Sequence, residues 1–207
     1  MENFDRKNHW ENIYETKELS TVSWFQPVPQ TSLDLIDGSN IPKSAKIIDV
    51  GGGDSYLVDF LLEMGYQDIT VLDISEKAIE RAKKRLGKKS AMVKWLVADA
   101  ANFESDEKFD LWHDRAVFHF FTDKKEIERY SENANRLLVE NGKMIVGTFS
   151  ENGPTKCSGI EIMQHSEASL SQAFEKHFKK NNCFTEDHIT PSGGVQNFIF
   201  CTFTKKN

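Results

Sequence analysis

Two kinds of segment alternate along this chain. Short β-branched or apolar runs occupy Lys46–Val50, Ile69–Leu72, Met92–Ala98, Phe109–Trp112 and Lys143–Phe149. Between them, apolar residues recur at helical spacing: Leu57, Phe60, Leu61 and Met64; Ala78, Ile79, Ala82 and Leu86; Ile127, Tyr130, Ala134, Leu137 and Leu138. Strand–helix alternation of this kind predicts a parallel sheet with helices on both faces. Asp54 or Ser55 is positioned to cap the helix after the first strand, and Ser75 the next one. Gly65, Gly87 and Gly142 follow helical runs, where a left-handed residue is wanted. The tail differs. After a helix at about 169–178, the runs Cys183–Ile189 and Val195–Thr204 flank Pro191-Ser192-Gly193-Gly194, which reads as a β-hairpin whose glycines permit positive φ. A parallel sheet that finishes on a hairpin contains one antiparallel strand.

Size fits one domain, divided into an N-terminal flap (1–42), a core (43–150) and a C-terminal loop, helix and hairpin (151–207). Apolar residues make up 39%, with 15 Phe and 4 Trp, enough for a core. With 26 basic and 32 acidic residues the net charge is −6, which argues against nucleic acid or an anionic membrane surface as partner. The basic run from Lys77 to Lys89 reads as the solvated face of a helix. Cys157, Cys183 and Cys201 are scattered and odd in number, with neither metal-site spacing nor a disulfide framework. They suit a reducing compartment. Without a signal peptide or a long apolar run, the expectation is a cytoplasmic protein.

The segment IIDVGGGDSYLV combines a strand, a Gly-rich turn and a helix start. Gly51 and Gly53 let the backbone turn tightly and approach a ligand, and the helix N-terminus offers free N–H groups. Asp73 ends the second strand, 20 positions after Gly53, where a carboxylate can accept both hydroxyl protons of a ribose. Asp99 ends the third. Strand ends of an open α/β sheet line one crevice, so Gly51, Asp73, Asp99, His113 and Asp114 should converge. The dinucleotide fingerprint GxGxxG is incomplete, because Tyr56 stands at its third glycine, and there is no phosphate-binding GxxxxGK[ST] loop. A nicotinamide-dependent oxidoreductase is therefore disfavoured.

The succession D-V-G-G-G, V-L-D-I-S, V-A-D-A and F-D-L-W-H-D-R-A resembles the motifs of class I S-adenosylmethionine (SAM)-dependent methyltransferases, from about Asn8 to the C-terminus. The resemblance implies a Rossmann-like, seven-stranded, mostly parallel sheet with an antiparallel last strand. The stretch HWENIYETKELSTVSWF resembles the segment before the core in the methyltransferase-like group that includes protein lysine methyltransferases. Members of that group often carry Asp-Lys-Gly where this chain has Asp114-Arg115-Ala116. The implied cofactor is SAM, with S-adenosyl-L-homocysteine (SAH) as product. By the resemblance Asp49 supports the turn, backbone at Gly51 and His113 holds the methionine moiety, and Asp73, with Ile74 beside it, binds the ribose. Asp99 and Ala100 flank the adenine. Trp10, Tyr14 or Trp24 closes over the cofactor, although the two tryptophans suit core staples equally well.

Methyl transfer needs a base only when the acceptor must lose a proton. Candidates are His113, Asp114 and His119 near the fourth strand, with His165 and His188 from the C-terminal region. Asp114 followed by Arg115 also reads as a local charge arrangement. The loop GTFSENGPTKCSG and the hairpin suggest that Cys157, His165, His188 and Gln196 line the acceptor pocket. The acceptor is a small molecule or a protein side chain. A SAM- or SAH-binding protein without catalysis is the alternative.

Overall fold

A computed structural model describes residues 4–207; the first three residues of the expected flap lie outside it. In chain order the elements are α1 (Arg6–Thr16), α2 (Gln30–Gly38), β1 (Lys46–Val50), α3 (Leu57–Glu63), β2 (Asp68–Asp73), α4 (Glu76–Leu86) and β3 (Val93–Val97). Then follow β4 (Phe109–Arg115), α5 (Lys124–Leu137), β5 (Leu138–Phe149), a small β6–β7 pair (Lys156–Cys157 and Ile160–Glu161), α6 (Glu167–Phe174), β8 (Phe178–Ile189) and β9 (Val195–Lys205). Among the described residues no helix is long and apolar enough to cross a membrane.

The seven-stranded sheet has the order β3-β2-β1-β4-β5-β9-β8. β9 runs antiparallel to both neighbours, while the pairs from β3 through β5 are parallel. This is an α/β, Rossmann-like architecture with an antiparallel last strand. β1 explains why its run is continuously apolar: it is covered on both faces. Ile47 packs with Leu33, Ile36 and Leu61. Its neighbour Ile48 points the other way, into a core with Trp112, Tyr130, Leu137 and Phe174. Strand order reverses between β1 and β4, so a crevice opens at their C-terminal ends.

Several local expectations need correction. The helix after the glycine turn starts only at Leu57, whose N–H donates to Ser55 Oγ at 3.2 Å; Asp54 does not cap it, and its buried carboxylate pairs with Arg81 of α4 at 2.9 Å. Ser75 does cap α4, accepting from the Ala78 N–H. After α5 the left-handed residue is Asn141 (φ 59°), not Gly142, because the chain passes straight from α5 into β5. The C-terminal helix stops at Phe174, and Phe178 already belongs to β8. In the hairpin only Gly193 takes positive φ.

The cysteines also differ from expectation. Cys183 and Cys201 face each other across the β8–β9 pair and form a disulfide. Their spacing of 18 residues gives no hint of this, because the partners are set by strand register. The cysteine pattern therefore no longer argues for a reducing compartment. Cys157 is a buried free thiol.

Candidate active site

The C-terminal ends of β1, β2 and β4 and the loop after β3 converge on one cleft of about 750 Å³ including its mouth. Gly51, Asp73, Ile74, Asp99 and Ala100 line it, under Trp10, Tyr14 and Trp24. The turn that forms its floor needs glycine for space as well as for φ. Gly51 and Gly53 sit at φ 67° and 46°. A methyl group on Gly51 would meet Val117 Cγ2 at 2.0 Å. One on Gly53 would come within 2.9 Å of both Asp73 Oδ2 and Tyr14 Oη. Glycine thus leaves the Asp73 carboxylate reachable.

Asp73 is held ready. Its Oδ1 accepts from the Ser75 N–H at 2.8 Å. Burial raises its carboxyl to about 7, the Ser75 N–H pulls it back, and Asp54, Asp49 and Glu11 push it up again. A buried carboxylate facing a cleft in this state is suited to accept from ligand hydroxyls. Asp99 accepts from the Ala101 N–H at 2.8 Å, which turns the chain and aims Ala100 at the cleft. The turn's own N–H groups are less available than expected. Those of Gly51 and Gly52 both donate to the Leu72 carbonyl, at 2.7 and 3.2 Å. The residues nevertheless fit an adenosine: a ribose-type acceptor at Asp73, a flat apolar wall at Ile74 and Ala100, and an aromatic roof.

That roof is latched. Trp10 stands edge-on to Trp24 and to Phe120, with centroids 5.7 and 5.3 Å apart. Glu11, one residue on, caps α4: it accepts from the N–H groups of Glu76 and Lys77 and from Ser75 Oγ, at 2.8, 3.1 and 2.9 Å. Arg81 in turn donates to the Tyr14 and Lys17 carbonyls at the end of α1. Partial burial pushes the Glu11 carboxyl up, but its three hydrogen bonds outweigh that and hold it below the usual carboxylate range. The latch is therefore intact above the ordinary carboxylate pKa and weakens as pH falls through the lowered one. Substituting Glu11→Ala should speed amide exchange of α1 about tenfold, the loss of a cap worth about 1–2 kcal/mol. Unchanged exchange would place the latch elsewhere.

The proposed bases do not gather at the cleft. No histidine lines it among the described residues. His113 is buried, its Nδ1 2.7 Å from Asp49 Oδ1 and its Nε2 2.9 Å from Ser32 Oγ. His113 thereby links Asp49 on β1 to Ser32 on α2. Asp114 is buried too, accepting from Tyr130 Oη and the Val117 N–H; burial raises it to about 6 although those bonds oppose the rise. His119 stacks flat on Phe149, its pKa lowered to about 3 first by burial, then by His165 and Arg115. His165 packs on Phe118 away from the cleft, and burial lowers it to about 4. His188 Nε2 donates to the Ser23 carbonyl at 2.7 Å. Gln196, opposite His188 in the β8–β9 register, lines neither this cleft nor the one beside it. Of the expected acceptor-pocket residues only Cys157 lines the cleft, and burial raises its thiol to about 11.

One residue joins the site unannounced. Arg115 lines the main cleft, a second one of about 540 Å³ beside Asp49 and His113, and a third against β8. It points away from Asp114, as strand alternation requires. The strand-end rule that picks out His113 and Asp114 extends one residue further to find it.

The sequence matches the family described as methyltransferase domain over residues 41–199. The chain belongs to that family. The methyltransferase-domain chain is 27% identical over 146 residues to the eEF1A lysine and N-terminal methyltransferase of Mus musculus, which covers 69% of the chain but only 20% of that protein. Its match to nodulation protein S of Rhizobium tropici is 33% over 82 residues, 40% of the chain and 34% of that protein. Among solved structures, the N-methyltransferase NodS from Bradyrhizobium japonicum WM9 in complex with SAH superposes with a TM-score of 0.75 at 17% identity, covering 98% of this chain and all of that one. A protein from work on converting a disulfide bond into a thioacetal group during echinomycin biosynthesis gives a TM-score of 0.82 at 16% identity, covering 98% and 92%. At such identities these structures establish the fold.

Proposed function

We propose that this chain is a SAM-dependent methyltransferase whose cofactor lies in the cleft between the Gly51–Gly53 turn and the aromatic roof. The observation that carries this reading is the convergence of Asp73, Asp99 and the glycine turn beneath Trp10, Tyr14 and Trp24. Asp73 accepts from the ribose hydroxyls. Ile74 and Ala100 flank the adenine, with Asp99 at its edge. The methionine end extends toward Asp49 and His113, where the second cleft opens. Held by these residues, SAM would supply a methyl group already activated on a sulfonium.

The protein's part is position and dryness. The roof excludes water, and the rigid β1 and β4 ends fix the acceptor relative to the turn. With no histidine on the wall of the main cleft among the described residues, we infer that an acceptor presenting a free lone pair suits this site better than one needing a buried base. Calorimetry with SAH and with NAD tests the reading. Micromolar SAH binding with no heat from NAD is the expected result, and NAD binding without SAH binding would overturn it. Turnover of a small-molecule and protein panel then separates an enzyme from a silent SAM-binding protein.

A further inference from the structure

The Arg115 guanidinium is oriented before any acceptor arrives. Its Nη1 donates to the Trp24 carbonyl at 3.1 Å, and its charge lies over the Phe198 ring, 4.8 Å from the centroid. Both contacts fix the plane of the group. What they leave is its Nε and Nη2, which are buried and have no hydrogen-bond partner. These two atoms form the side-on edge of the guanidinium, the fork that matches the two oxygens of a carboxylate. Two buried donors without an acceptor are costly, and native structures keep few of them. Among the described residues no carboxylate is hydrogen-bonded to this edge. Glu186, the acidic residue whose charge reaches Arg115, is engaged by Thr31 Oγ1 at 2.5 Å.

We propose that Arg115 is the docking residue for a carboxylate, or another planar oxyanion, on the methyl acceptor. The inference rests on the methyltransferase reading and sharpens it from an unspecified acceptor to an anionic one. Position supports it. Arg115 lines all three clefts, so the side chain that carries these unpartnered donors stands where the cofactor cleft meets the other two. Burial alone lowers the guanidinium to about 10 against the opposing pull of Glu186, a cost that an anionic ligand relieves. The same charge disfavours a protonated lysine side chain as acceptor, since both would be cations in a partly dry cleft.

The test uses the full chain saturated with SAH and titrated with benzoate and with benzamide, its neutral isostere. Benzoate should bind at least tenfold more tightly than benzamide. Arg115→Met should abolish that preference, and Arg115→Lys should restore only part of it because the fork is gone. Methylthioadenosine, which lacks the amino-acid end of SAH, serves as the control. If Arg115→Met weakens SAH strongly and methylthioadenosine not at all, Arg115 holds the cofactor's own carboxylate and the inference fails. Equal binding of benzoate and benzamide to wild type overturns it as well, with SAM binding untouched. Absence of SAH binding by wild type overturns both readings. Should the Met variant not fold, the wild-type benzoate–benzamide comparison and the Lys variant still decide the matter.

Discussion

Asp73→Asn should cost most of the cofactor affinity and yet make the empty protein more stable. The two hydrogen bonds proposed between this carboxylate and the ribose hydroxyls are charge-assisted, about 1.5–3 kcal/mol each, so SAH binding should weaken by about 100-fold or more. Stability moves the other way. The folded-state pKa of Asp73 is raised from 3.8 to about 7, chiefly by burial. A raised folded pKa means that its contribution is fully present below pH ~4 and is lost as pH climbs through ~7. At neutral pH the ionised group therefore opposes folding, by on the order of 4 kcal/mol at most. Asparagine removes that opposition and with it the pH slope between those limits. Calorimetric unfolding of both proteins at pH 5 and pH 8 gives the comparison. Tight SAH binding by the variant would remove Asp73 from the cofactor site, and a parallel pH dependence would show the carboxylate to be well solvated.

The second large effect is expected at His113. Its ring bridges Asp49 on β1 and Ser32 on α2, and all three side chains are buried. His113→Ala strands the Asp49 carboxylate without its partner, a loss of about 3–5 kcal/mol. For a chain of this size that lowers Tm by roughly 10 °C. Because the contacts form one network, His113→Ala combined with Asp49→Asn should cost clearly less than the sum of the single changes. A general base would behave differently: kcat would fall with unfolding unchanged, and the double variant would show no coupling.

Much of the cofactor side was legible because strand ends are tied to sequence by simple rules. Five apolar runs sit on β1 to β5, and the topology brings their C-terminal ends together, so Gly51, Asp73 and Asp99 could be placed in one crevice before any coordinates. Side chains that depend on a distant partner were not legible. His113 looked like a free base because its two partners stand 64 and 81 residues away in the chain. His165 and His119 turned out to be aromatic filler against Phe118 and Phe149. Cys183 and Cys201 meet through the register of the β8–β9 hairpin, which the spacing of the two cysteines alone does not display. Glu11 looked like one more polar residue of the flap, since helix capping from another helix leaves no pattern in sequence.

Ser75 ties three of these parts to one residue. Its N–H fixes Asp73, and its hydroxyl both caps α4 at Ala78 and donates to Glu11 of the roof. A disturbance of α1 is therefore transmitted to the Asp73 carboxylate, the proposed ribose acceptor, across a single amino acid. Flap position and nucleoside affinity are linked functions in the thermodynamic sense: whatever grips the flap from outside must shift SAM binding, and SAM must shift that grip by the same factor.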